Sequence, residues 1–153
     1  MIRKYRVLLV SSSGGVLLDL LALEPWWSQH DAAWAVVRAE DTQSLLSEYR
    51  TYWIKDRTAS CSLGVVLGLF DALRVVRNVR PHLIVSAGSG VAVGFFLAAK
   101  LARIPSFWLD TFNFIHVQSL SGRVCSRLAA EVLVQRQSML EFRPEATMLG
   151  ELF

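Results

Sequence analysis

Two short runs of small residues in this 153-residue chain have the composition of anion-binding turns. One is SSSGG, ending in Ser13, Gly14 and Gly15; the other is SAGSG, ending in Gly88, Ser89 and Gly90. A helix that begins in serine and glycine offers backbone N–H groups at the positive end of its dipole, and glycine has no Cβ to hold an oxyanion away. Two such turns side by side suit a diphosphate. Neither SSSGGV nor GSGVAVG matches the dinucleotide fingerprint or the P-loop with its Lys-Ser/Thr pair. Chain reversal alone also calls for glycine at such places, so the residues leave both a phosphate-binding and a purely structural role open.

The second polar concentration is LDTFNFIHVQSLSGR, residues 109–123. It starts where a predicted strand ends, so Asp110 and Thr111 are expected on the same edge as the glycine turns. Phe112, Phe114 and Ile115 make the segment either a loop held down by its own aromatics or a lip that touches an amphipathic ligand or a membrane. Ser121, followed by Gly122 and Arg123, reads as the N-cap of another helix. His116 lies inside this segment and is the one histidine with a chemical role in view; His30 and His82 read as structural or solvated. The residues support no Ser-His-Asp or Cys-His arrangement. Cys61 and Cys125 make no metal-spaced pair with the three histidines, so no metal is expected and both thiols read as reduced, buried small hydrophobes.

The elements that must carry these residues follow from hydrophobic pattern. YRVLLV (5–10), AAWAVVR (32–38), HLIVSA (82–87), SFWLD (106–110) and EVLVQ (131–135) are continuous apolar runs, the mark of strands covered on both faces. A short strand and loop are expected within 51–62, and a last short strand in the tail EATMLGELF. Helices are predicted over 16–23, stopped by Pro25, over part of 39–50, over 62–79 with Arg74, Arg77 and Arg80 collecting at its end, over 91–102 and over 121–130. Strand, glycine turn and helix in repeated order give an α/β fold, a doubly wound Rossmann-like parallel sheet. The length suits one domain over residues 1–153, with no repeat and no linker.

Hydrophobic residues make up 53% of the chain and the mean hydropathy is +0.38, which points to a buried sheet, a partner surface or a membrane neighbour. No stretch approaches the roughly 18 apolar residues of a membrane span, and the start MIRKYRVLLV reads as mature structure, with no cleavage site. The net charge is +3, and 13 of the 16 basic residues are arginine. Arginine favours planar anionic groups such as phosphates and carboxylates.

Taken in order, VSSSGG, RPHLIVSAGSGVAVGFFLAAKLARIP, SLSGRV after an acidic-aromatic loop, VLVQ and a terminal MLGELF resemble the asparagine-linked-glycosylation membrane-anchor subunit family and its bacterial exopolysaccharide counterparts. The resemblance covers nearly the whole chain. Members of that family resemble the N-terminal half of a GT-B glycosyltransferase of the MurG type, supplied as a separate polypeptide. It implies a subunit that binds a polyprenyl-diphosphate-linked sugar acceptor and recruits a donor-binding glycosyltransferase subunit that holds the UDP-sugar. By that resemblance Ser13, Gly14, Gly15, Gly88, Ser89 and Gly90 receive the acceptor diphosphate, and Asp110, Thr111, Ser121 and Gly122 belong to the acceptor loop. The tail, with Met148, Leu149, Leu152 and Phe153, meets the partner.

Two departures sharpen the expectation. The family carries histidine after the paired glycines, a candidate base, where this chain has Val16. Asp19, Asp110 or His116 then substitutes, the partner supplies the base, or the chain only binds. The eukaryotic members also have an N-terminal anchor that is not seen here, which favours the bacterial kind. Such a protein is expected in the cytoplasm, peripheral at the inner face of the cell membrane, touching an anionic surface through Arg3, Lys4, Arg6, Trp26 and Trp27. No cofactor and no nucleic acid are expected. A scaffold that only enhances a partner enzyme and a stand-alone nucleotide-binding domain are the alternatives.

Overall fold

The computed structural model describes residues 3–57, 62–110, 120–134, 140–141, 144 and 146–148. Strands β1 (Arg6–Ser11), β2 (Asp31–Val37), β3 (Thr51–Ile54), β4 (Leu83–Ser86), β5 (Ser106–Asp110), β6 (Glu131–Val134) and β7 (Thr147–Met148) form a single sheet. Its order is β3-β2-β1-β4-β5-β6-β7, and every neighbouring pair is parallel. Helices α1 (Gly15–Leu21), α2 (Glu24–Trp27), α3 (Glu40–Leu45), α4 (Ser62–Val79), α5 (Val91–Ala102) and α6 (Leu120–Leu128) connect the strands.

Side chains alternate across each strand, and this sends the apolar runs into two separate cores. Leu8, Val10, Ile84 and Trp108 pack with α4, α5 and α6. Val7, Leu9, Trp34, Val36 and Leu109 pack with Leu17 and Leu20 of α1, Trp27 of α2 and Leu46 at the end of α3. Helices after the first two strands therefore cover one face, and later helices cover the other. The direction of winding reverses between β1 and β4, so a crevice opens there at the carboxyl ends of the strands.

Two local expectations are corrected. Pro25 does not end a helix running to residue 23: α1 stops at Leu21, and Pro25 sits in the first turn of α2, where its missing N–H breaks no helical bond. Arg80 does not extend the basic side of α4, because it lies past the helix end with φ 50°. Its carbonyl accepts from Arg6 Nε at 2.7 Å.

Helices α4 and α5 approach backbone to backbone. A Cβ built on Gly94 would stand 2.8 Å from the carbonyl carbon and oxygen of Gly68, so only glycine permits this crossing. The amino edge of the sheet is closed by rings. Tyr5 meets His30 and His82 edge-on at 5.7 and 6.0 Å, Trp26 meets His30 at 5.4 Å, and Arg3 stacks on Tyr5. His82 Nδ1 accepts the Arg6 backbone N–H at 2.9 Å. Among the described residues no helix is long and apolar enough to cross a membrane.

Candidate functional site

The first turn leaves β1 at Ser11 and enters α1 through Gly14, whose φ of 87° and ψ of −150° suit glycine and almost no other residue. Its carbonyl accepts from Leu17 and Leu18 N–H at 3.1 and 3.4 Å, which fixes the start of the helix. Ser13, Gly14 and Gly15 are exposed. The second turn leaves β4 at Ser86 and enters α5. Ser89 holds φ 88°, a strained value for a residue with a side chain, and its Oγ accepts the Val91 N–H at 3.4 Å.

The two turns touch. A Cβ on Gly88 would lie 3.0 Å from Val16 Cγ2, so Val16 fills the space that a side chain at position 88 would take. Beneath them Ser86, fully buried, donates from Oγ to the Val10 carbonyl at 2.8 Å, lies 3.0 Å from the Gly88 carbonyl oxygen and accepts the Gly88 N–H at 3.4 Å. Val16 thus has a packing role against the second turn.

Strand register places the third element. Val10 is level with Ser86, and Ser86 with Trp108. Ser12 follows the end of β1, Gly88 lies two residues past the end of β4, and Asp110 is the last residue of β5, so all three stand at the carboxyl edge. Asp110 and Asp19 are both buried, at 7% and 6% exposure. Helix α6 begins at Leu120, so Ser121 lies inside its first turn and is not the N-cap, and Gly122 behind it is buried. Helices α1, α4, α5 and α6 all follow strand ends on this edge, so their N-termini give it a positive field.

Met148 pairs through its backbone with Val134 at the end of the sheet. Thr111, His116, Leu149, Leu152, Phe153 and Cys61 lie outside the described residues. Cys125 is a free thiol inside the core, and burial pushes its pKa up to about 12. Among the described residues no group of three or more His, Cys, Asp or Glu is placed to hold a metal ion.

The basic and aromatic group Arg3, Lys4, Arg6, Trp26 and Trp27 sits at the amino edge, opposite the glycine turns. Trp27 is 3% exposed and donates its indole N–H to the Leu20 carbonyl at 3.0 Å, while Arg6 is held by Arg80. Trp27 is thus buried within the protein, while Arg6 is exposed and its side chain is bonded through Nε alone.

Two features escaped the sequence reading. The outer face of α4 exposes Leu63, Val66, Leu67 and Phe70, the last at 65%, with Arg74 and Arg77 further along the same face. Behind that face, between the end of β3, α4 and the start of α5, is a shallow open cleft that includes Lys55, Arg57, Asp71 and Gly90 in its lining. Arg57 Nε donates to Asp71 Oδ2 at 2.8 Å. Asp71 interrupting an otherwise apolar helical run was the signal available in the sequence.

No protein-family profile matches the chain, and no curated protein does. Solved structures do. MurG of Acinetobacter baumannii superposes with a TM-score of 0.71 at 19% identity, covering 87% of this chain and 41% of that one. The Staphylococcus aureus MnaA–UDP co-structure gives 0.75 at 9% identity, covering 97% and 44%. A glycosyltransferase from Rickettsia africae ESF-5 gives 0.73 at 13% identity, covering 97% and 43%. The chain spans less than half the length of each of these structures. Its fold is the Rossmann-like α/β domain of GT-B glycosyltransferases and of UDP-GlcNAc 2-epimerases.

Proposed function

We propose that this chain is the acceptor-binding half of a two-component GT-B glycosyltransferase, of the asparagine-linked-glycosylation and exopolysaccharide kind. The observation that carries the reading is the contact between the two glycine turns at the point where the sheet reverses its winding, in a fold shared with MurG. The acceptor diphosphate lies across Ser13, Gly14 and Gly15 on one side and Gly88, Ser89 and Gly90 on the other, held by backbone N–H groups and helix dipoles. Its sugar then extends along the edge toward Asp110, Ser121 and Gly122.

The partner subunit holds the UDP-sugar. The acceptor hydroxyl oxygen attacks the anomeric carbon, the bond from that carbon to the UDP oxygen breaks, and its electron pair leaves on UDP, stabilised by the partner. The hydroxyl proton passes to a base. Val16 takes no proton, so Asp110 in this chain or a group of the partner receives it. The tail from Met148 to Phe153 docks on the partner. The α4 face supports contact with a membrane at its cytoplasmic side: its apolar residues suit the acyl boundary and Arg74 and Arg77 suit anionic headgroups.

The test is transfer from a panel of UDP-sugars to a polyprenyl-diphosphate-linked acceptor, with the chain alone, its partner alone, and both together. Transfer only in the mixture, lost in Gly14→Trp and Gly90→Trp, is the expected result. Full activity of the partner alone overturns it and leaves this chain an enhancer.

A further inference from the structure

The sheet has an edge at β3, which pairs with β2 on one side only. On that paired side Trp34 N–H donates to the Arg50 carbonyl at 2.8 Å and Arg38 N–H to the Ile54 carbonyl at 3.4 Å. Along a strand, successive residues turn their main-chain groups to opposite sides. Residues 50, 52 and 54 therefore face β2, and Thr51, Trp53 and Lys55 aim N–H and C=O outward. Among the described residues no strand lies against them. We propose that this edge joins a second copy of the chain, antiparallel, about a two-fold axis through Trp53. The surface is separate from the glycine turns, and the inference stands without the acceptor-binding reading.

The edge is complementary to itself in one register. An antiparallel pair joins residues whose main-chain groups both face the other strand, so odd positions must meet odd positions. With Trp53 opposite Trp53, Thr51 meets Lys55 on either side, and all three outward residues find partners. At the even positions Tyr52 then meets Ile54, and Arg50 meets Asp56. Arg50 and Asp56 are both exposed, and Asp56 has no ion pair among the described residues. Arg50 is already steadied: its Nη2 donates to the Tyr52 hydroxyl at 2.8 Å, and its guanidinium carbon lies 5.6 Å from the centre of that ring. Symmetry makes the Arg50–Asp56 pair twice. A shift of two residues either way parts these charges and breaks the Trp53 pair.

Edge strands that must stay single are guarded by proline, by a bulge or by charges. β3 holds no proline, keeps an unbroken register with β2 and leaves Trp53 at 36% exposure. Its one outward charge, Lys55, faces Thr51 in this register and meets no second cation. The two-fold axis stands normal to the sheet, so both copies keep α4 on the same side. Their exposed Phe70 faces then point toward one plane, and a flat surface receives two contacts where a single copy makes one.

The experiment is sedimentation velocity of the intact chain over a dilution series, with Trp53→Pro, Arg50→Asp and Asp56→Arg, each checked for an unchanged thermal unfolding profile. Proline at position 53 removes an outward N–H and leaves every β2–β3 bond in place, as suits an edge strand. The unmodified chain should pass from monomer to dimer as concentration rises. Trp53→Pro should abolish the dimer, and each charge variant should weaken it about tenfold or more, since two attractive pairs become two repulsive ones. Mixing the Arg50→Asp and Asp56→Arg proteins restores opposite charges at both places, and dimerisation between them should return to within about threefold of the original. The mixture needs no proline variant, so it decides the question even where that variant melts early. A chain that stays monomeric at every concentration overturns the proposal, as does a dimer that Trp53→Pro leaves intact. A dimer lost in the charge variants with no recovery in the mixture overturns the register.

Discussion

Gly94→Ala adds one methyl group at the point where α5 crosses α4, and the structure gives both signs of its effect. In isolation, alanine in a helix interior is favoured over glycine by about 0.5–1 kcal/mol. Here the new Cβ would stand 2.8 Å from two backbone atoms of Gly68, which cannot rotate away, so the helices must separate. Overpacking of this kind costs about 1–3 kcal/mol, and because the clash is with backbone the upper part of that range applies, leaving a net loss of roughly 1–2 kcal/mol. For a domain of this size that lowers the melting temperature by about 2–8 °C. The matched variant is Gly68→Ala on the facing helix. Its Cβ meets no atom within 4 Å, so only the propensity gain remains and stability should rise by about 0.5–1 kcal/mol. Both are measured by urea denaturation at constant m-value and by thermal melts. A Gly94→Ala protein as stable as the original would refute the close crossing, and equal losses in the two variants would refute the asymmetry.

Gly14→Ala should cost about 1–3 kcal/mol through backbone strain alone, since its φ of 87° disfavours any L side chain although the Cβ itself has room; denaturant midpoints check this. Phe70→Glu should weaken binding to vesicles containing phosphatidylglycerol at least tenfold in a flotation assay, because a ring contributing about 1.5–3 kcal/mol on burial is replaced by a charge that the anionic surface repels, and the melting temperature should stay unchanged. In a Cys61→Ser background, Cys125 should react with a thiol reagent at pH 8 only after unfolding. Because its folded pKa is raised to about 12 from 9.0, its contribution to stability is full below pH 9 and is lost as pH rises toward 12, so Cys125→Ala should flatten that alkaline decline.

The sheet and its glycine turns were legible because parallel strands buried on both faces leave continuous apolar runs, and VLLV and LIVS are such runs. The turn residues follow each one directly, so the edge that carries both glycine turns could be located from chain order. Other features depend on neighbours that no local pattern reveals. Pro25 looked like a stop because proline ends helices, yet it opens α2, where the same missing N–H is harmless. The first half of α4 is apolar on several sides, so periodicity could not tell that Leu63 and Phe70 face outward while Ala72 and Val76 are covered. Trp26 and Trp27 are adjacent, but one lies at the surface and the other is inserted against Trp34. The Arg57–Asp71 pair joins a segment without period to the middle of a helix, and the cleft exists only once they meet. Val16 reads as a missing base until Gly88 is seen against it.

The wedge of Val16 in the hollow of Gly88 also bears on how fast and how tightly a ligand can be held. Flexible loops that must be gathered around a ligand lose conformational freedom at that moment, and affinity falls by the corresponding amount. Here the β1 and β4 turns are clasped before anything arrives, by a methyl group above and the Ser86 hydroxyl below. Little ordering remains for a ligand of these turns to impose. Association should therefore proceed close to a rigid-body encounter, and a substitution on either turn should be felt on both.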